Sequence, residues 1–258
     1  MNPIEEFREM AARPDDRIDL AAAALLIAAA DHEVASESFL SRLDEFAYGV
    51  DDLDSLRKRL FDELGFTGET EDYYEPENSF IDIAITRRRS IPITLSVLTI
   101  EVARRAGIKL EGIGMPGHFL VRYPVTGDYI DPFFKGEILD ESGCEARFKQ
   151  VTGVTASVTF GPGMRPVSNK QEILARMLNN LKAIYKARAD GTSLEWVIRM
   201  RLGIPIVPRE EVAELGDALA LQGRFREGAA EIDAVAMEHP SLAKTLTPAA
   251  RALRATLN

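Results

Sequence analysis

The run from 93 to 105 constrains this chain more than any other segment. It is introduced by Ser90-Ile91-Pro92 and closed by Gly107. Proline is tolerated in the first turn of a helix, where its missing N–H costs nothing, and a serine just before it can cap the first turn. Glycine is the natural residue just past a helix end. Between these marks the residues are apolar on most sides. A helix of that kind has to be covered all round, so the rest of the chain must be built around it.

The expected cover is a small sheet. Residues 110–115, 118–123 and 129–134 read as strands, and Gly127-Asp128 marks a hairpin turn between the last two. Residues 154–160, rich in β-branched side chains, read as a further strand. A helix packed on an antiparallel sheet is the economical arrangement.

Helical patterns flank this core. Residues 20–30 are rich in Ala and Leu, which favour helix. Residues 38–48 and 53–64 repeat apolar positions at helical spacing. An acidic loop follows over 65–78 and holds Tyr73 and Tyr74. Two readings stand for it: a solvated loop, or a flap whose tyrosines cover a cleft. Arg87, Arg88 and Arg89 are placed to neutralise it. Farther on, Ile173, Leu174, Met177, Leu178, Leu181, Ile184 and Tyr185 form one helical stripe. Residues 212–239 read as a degenerate tetratricopeptide repeat, with Gly216, Gly223, Phe225, Ala229 and Pro240 near the repeat's usual places. So short a repeat cannot bury a core by itself and should dock on the middle of the chain. The fold class is α+β in three parts: a helical bundle over 1–66, the core over 67–165, and repeat-like helices over 166–258.

Composition narrows the function. The net charge is −10, which argues against nucleic acid, whose binding needs a positive footprint, and against anionic membrane surfaces. The apolar run over 20–30 is too short to span a bilayer. Acids are scattered through the first residues, unlike a secretory signal. Cys144 is the single cysteine, so an internal disulfide is impossible and a reducing compartment fits. A cytoplasmic protein is expected. No metal-ligand spacing or phosphate-binding glycine loop is present, and no cofactor is expected.

Three histidines are present. His32 and His239 stand among polar neighbours and are expected at the surface without a role. His118 opens a predicted strand, and Asp131 stands thirteen residues on, in the next one. Paired strands would bring them together. A carboxylate beside an imidazole fixes its tautomer and stabilises the imidazolium, as a general base requires. A structural histidine is the competing reading.

Several runs together resemble one family. They are Gly65-Phe66-Thr67-Gly68, Asp72-Tyr73-Tyr74, Asn78-Ser79-Phe80, Arg88-Arg89-Ser90-Ile91-Pro92-Ile93-Thr94-Leu95-Ser96, and Glu101-Val102-Ala103-Arg104-Arg105-Ala106-Gly107. They continue with Pro116-Gly117-His118-Phe119-Leu120-Val121-Arg122, Ile130-Asp131-Pro132-Phe133 and Arg176-Met177-Leu178-Asn179-Asn180-Leu181-Lys182. In this order they resemble the bacterial Sir-B-type transglutaminase-like family, over nearly the whole chain. The resemblance implies a transglutaminase or cysteine-protease-like core, with a cysteine at the start of the central helix and a histidine and aspartate on neighbouring strands. A helix N-terminus lowers a thiol's pKa, and the histidine shares its proton. His118 and Asp131 match the last two members. The cysteine position falls near Pro92, within two residues, where the sequence has Ile91, Pro92, Ile93 and Thr94. None is a thiol.

Thr94 and Ser96 are hydroxyls lying about 200° apart around the helix, so at most one faces His118; Ser96 has the better direction. Cys144, in an apparent acidic turn, should have a raised pKa and poor nucleophilicity. Glu101 reads either as an ion pair with Arg104 and Arg105 or as a carboxylate lining the cleft. Arg88 and its neighbours suit an anionic group or an internal ion pair. Two functions fit these residues. One is a non-catalytic, cysteine-less protein that binds a protein or peptide. The other is an amide-directed hydrolase or acyltransferase using His118 and Asp131 with a hydroxyl or an activated water. A bare scaffold, in which the pair only braces the sheet, is the third. Whether the chain is an enzyme stays open at this point.

Overall fold

The computed structural model describes residues 2–154 and 160–256. The expected α+β architecture is the one the chain adopts. The first third is helical: α1 (Pro3–Ala11), α2 (Leu20–Ala29), α3 (Ser36–Ala47) and α4 (Leu53–Arg57), which widens into a π-helical turn over Lys58–Glu63. Next come β1 (Thr67–Gly68), α5 (Ile81–Arg87) and β2 (Arg89–Ser90), with β1 and β2 pairing in parallel.

The apolar run forms α6 (Pro92–Arg105) and is buried along most of its length. Pro92 takes the first helical position as expected. Ser90 is not the cap: Ile91 holds that place, and the Ser90 hydroxyl donates instead to the Asn78 carbonyl. Its pairing in β2 draws it one step away from the helix.

The sheet has five strands: β3 (Glu111–Met115), β4 (His118–Arg122), β5 (Tyr129–Asp131), β6 (Glu137–Leu139) and β7 (Val167–Ser168). Their spatial order is β6-β5-β4-β3-β7, antiparallel throughout. The expected third strand is shorter than its pattern. Pro132 ends it, and residues Pro132–Phe134 form a 3-10 turn. Between β6 and β7 lies α7 (Glu141–Thr152). The strand expected at 154–160 falls mostly outside the described residues.

The expected acidic turn around Cys144 is instead the start of α7. The Asp140 carboxylate accepts from the Gly143 N–H and caps the helix. Aspartate followed by an acid in the first turn is a helix-start pattern as well as a turn pattern, and here the helix prevails. Cys144 is buried with Ile113, Met115, Leu120, Tyr129, Leu139 and Phe148.

The last third comprises α8 (Lys170–Ala187), α9 (Gly191–Leu202), α10 (Val212–Leu221), α11 (Phe225–Glu238) and α12 (Ala243–Ala255). Small residues let two of these helices approach closely. A Cβ on Gly228 would lie 2.9 Å from the Gly216 carbonyl oxygen and 3.1 Å from its Cα, so α10 and α11 touch backbone to backbone. One hydrophobic cluster runs from Phe7 through α6 to Leu253. No helix among the described residues is long and apolar enough to cross a membrane.

A histidine and aspartate pair facing a cleft

His118 begins β4, and Asp131 ends the neighbouring β5. The register Val121 opposite Ile130 and Arg122 opposite Tyr129 brings the two side chains together. His118 Nε2 and Asp131 Oδ2 are 2.9 Å apart, both groups buried. Asp131 Oδ1 accepts from the Phe133 and Phe134 N–H groups at 3.1 and 3.3 Å. Arg147 of α7 approaches Oδ2 at 3.3 Å, pairs with Glu137 as well, and lies 3.4 Å over the Phe134 ring. A buried carboxylate needs such company, because a bare charge in a dry interior is costly. Arg147 is the supporting residue that sequence reasoning missed. It sits in the helix that was read as a turn.

With Nε2 committed to Asp131, Nδ1 is the nitrogen of His118 left to act. His118 lines a cleft of about 1130 Å³ with Pro92, Ile93 and Phe133. Tyr73 and Tyr74 close one side. Tyr73, Phe133 and His118 form an edge-to-face row, with ring centroids 6.2 and 5.9 Å apart. Gly68 makes that row possible: a Cβ there would stand 2.5 Å from the Phe133 ring. The acidic loop is held by Arg87 on Glu77 at 2.5 Å and by Arg188 on Glu75 at 2.8 Å.

The two candidate hydroxyls do not meet His118. Ser96 donates to the Phe119 carbonyl at 3.4 Å. Thr94 Oγ1 is buried and makes no hydrogen bond among the described residues. Neither lines the cleft, whereas Pro92 and Ile93 do. Ser168, which the sequence did not single out, also reaches the cleft. It sits on β7, with β3 between it and the His118 strand. Cys144 lies in the second cluster, and burial pushes its thiol up to about 11, Arg165 pulling the other way. Desolvation, more than acidic neighbours, is what quenches it.

The other sequence candidates separate cleanly. Glu101 is buried and bonds Arg104 at 3.0 Å and Arg105 at 2.6 Å, with Arg105 reaching Asp44 at 2.8 Å. It belongs to the α6–α3 contact and does not line the cleft. Arg88 lies between two rings, 4.7 Å from the Phe46 centroid and 4.6 Å from that of Phe66. Burial pulls its pKa down, and it too is absent from the cleft wall.

Arg176, which the sequence offers only as part of a motif, lines the cleft. From α8 its Nη2 donates to the Met115 and His118 carbonyls at 2.8 and 2.6 Å. It therefore ties the β3–β4 hairpin to the C-terminal helices. Burial pulls its pKa down, and Tyr73 pushes it back up. Asn179 and Asn180 extend the same wall.

His32 is not the plain surface residue expected. Its Nε2 stands 2.7 Å from Asp82 Oδ2, and its ring meets Phe80 edge-on, centroids 5.2 Å apart. The partner is fifty residues away in sequence, beyond the reach of any local pattern.

The transglutaminase-like superfamily model matches residues 21–179, from α2 to the Asn179 of the cleft. A UPF0162 protein of Xylella fastidiosa (strain 9a5c) is 32% identical over 195 residues, 69% of each chain. F-box only protein 21 of Mus musculus is 33% identical over 183 residues, which are 67% of this chain and 27% of that one. A UPF0162 protein of Vibrio cholerae is 37% identical over 92 residues, 34% of each chain. No solved structure matches significantly.

Proposed function

The chain belongs to the transglutaminase-like superfamily, and from that premise we propose that it is a member without a nucleophile, which binds a protein or peptide in the His118 cleft. One observation carries this reading. The start of α6, where the superfamily's cysteine would stand, presents Pro92 and Ile93 to the cleft. Neither side chain can attack a carbonyl. Ser96, the better directed of the two candidate hydroxyls on α6, is spent on the Phe119 carbonyl.

The finer assignment is to the Sir-B-type branch, supported by the density and order of the quoted motifs. Arg176, Asn179 and Asn180 of the last motif line the same cleft as His118 of an earlier one. The C-terminal helices are read as tetratricopeptide-like, supported by the Gly216–Gly228 contact. A cytoplasmic setting fits the single buried thiol.

A second reading is kept because the His118–Asp131 bond is intact at 2.9 Å. A paired imidazole with Nδ1 left over could activate water against an amide. The test uses the full chain and a panel of amide and ester reporters, including an acyl-transfer pair. The binding reading expects no turnover above buffer and the same blank for His118→Ala. Turnover that disappears in His118→Ala would sink it and install the water mechanism. Labelling by a serine-directed phosphonate would instead point to a hydroxyl.

A further inference from the structure

Resting on the peptide-binding reading above, we propose that the cleft selects a carboxylate: Arg176 receives the carboxylate of an extended peptide, and the side pocket behind Tyr73 and Tyr74 receives a neighbouring apolar side chain. The first observation is the state of Arg176. It has no carboxylate partner among the described residues, although most arginines around it have one. Arg201 on the same cleft is held by Glu211, and Arg188 by Glu75. Among the described residues the hydrogen bonds of Arg176 are those of Nη2 to two carbonyls, and its guanidinium lies 5.2 Å from the Phe119 ring centroid. Those contacts fix the plane of the guanidinium and leave Nε and Nη1 without a hydrogen bond among the described residues. A planar fork held in place is suited to bidentate recognition of a carboxylate.

The charges of the cleft disfavour a dianion. Arg201 is neutralised by Glu211, and the carboxylate of Glu172, which also lines the cleft and accepts from the Asn169 N–H, repels a doubly charged group more than a singly charged one. One cation with two neutral amides, Asn179 and Asn180, matches a carboxylate better than a doubly charged phosphate, which asks for several positive groups.

The second observation is a side pocket of about 310 Å³, lined by Tyr73, Tyr74, Ile91, Ala183, Ile184 and Ala187. Asn180 and the two tyrosines border both spaces. Asn180 lies four residues past Arg176 on α8, roughly 6 Å along the helix axis. An extended peptide advances about 3.3 Å per residue. The apolar side chain should therefore stand one or two residues from the carboxylate.

The carboxylate has two possible sources, a glutamate side chain or a free C-terminus, and the probes separate them. Fluorescence anisotropy would use dye-labelled hexapeptides and the full chain. One blocked peptide carries leucine two residues before glutamate, and a twin has glutamine in place of glutamate. A third ends in a free carboxylate two residues after leucine and lacks glutamate. A fourth repeats the first with serine for leucine. We expect one of the two acidic forms to bind about 10-fold or more tightly than the glutamine twin, as charge-assisted hydrogen bonds imply. Arg176→Gln should erase that preference. Arg176 also braces the hairpin, so Ile184→Trp supplies an independent arm: it fills the side pocket and should erase the leucine-over-serine preference while keeping the acidic one. Equal binding of the glutamate, glutamine and free-carboxylate peptides overturns carboxylate selection and leaves peptide binding standing. No binding by any peptide, with the chain folded, overturns both.

Discussion

Pro92 is the residue on which the proposed lack of a nucleophile turns. It holds the first position of α6 and faces the cleft with His118. A thiol there would meet the positive end of a helix, which favours thiolate. We expect Pro92→Cys to react with iodoacetamide at neutral pH far faster than the buried Cys144, and to slow when His118→Ala is added. Equal rates with and without His118 would mean that the imidazole does not face that position. His32 supports a different prediction, on pH. Burial pulls its pKa down, but the bond and charge of Asp82, and then Asp31, outweigh it and leave it raised. A histidine raised by folding adds stability that is complete below its unfolded value of about 6.5 and fades as pH climbs through the folded value. The Tm advantage of the native chain over His32→Gln should thus be greatest near pH 5.5 and shrink toward pH 8.5. An advantage that grows with pH would reverse the assignment.

At the scale of elements, the α10–α11 contact can be tested directly. Gly228→Ala would force its Cβ against the Gly216 backbone, and backbone yields less readily than a side-chain tip. Overpacking of this kind costs about 1–3 kcal/mol, partly offset by the roughly 1 kcal/mol that alanine gains over glycine in a helix. A Tm lowered by a few degrees is expected, while Gly163→Ala, which meets open space, should leave it unchanged. If both behave alike, the close approach of α10 and α11 is not tight in solution. Elements set by local pattern were legible in the sequence. The mostly apolar α6, the Gly127 hairpin and the apolar stripe of α8 are examples. Elements set by distant partners were not. β7 is two residues long and exists only because β3 lies beside it. α7 hid behind turn-forming residues whose helical role depends on what Cys144 and Phe148 pack against. The site divides in the same way. His118 and Asp131 could be paired from adjacent strands, whereas Arg176 reaches the His118 carbonyl across 58 residues, a contact no local spacing records.

The three segments distinguished by pattern are joined in the whole molecule by more than a shared cluster. Tyr185 of α8 donates to Asp31 at 3.0 Å, and Lys170 donates to the Ile18 carbonyl at 2.6 Å. Gln171 reaches the Ala11 carbonyl at 2.9 Å. At Gly203 a Cβ would stand 2.3 Å from Arg8 Cγ, so α1 lies directly on the end of α9. The core over which α6 is buried takes side chains from the first and last thirds together. Opening one third therefore exposes apolar surface of the others, and that coupling is what makes unfolding cooperative. Trp196 of α9 packs against Tyr185, ring centroids 6.1 Å apart, and reports the last third alone. Far-UV circular dichroism reports helices throughout the chain. In urea the Trp196 fluorescence midpoint should coincide with the circular dichroism midpoint. A Trp196 transition completed at clearly lower urea would mean that the C-terminal helices dock as a separable unit. The Arg176 bridge to the β3–β4 hairpin would then be a hinge, and carboxylate selection in the cleft would depend on how often that hinge is closed.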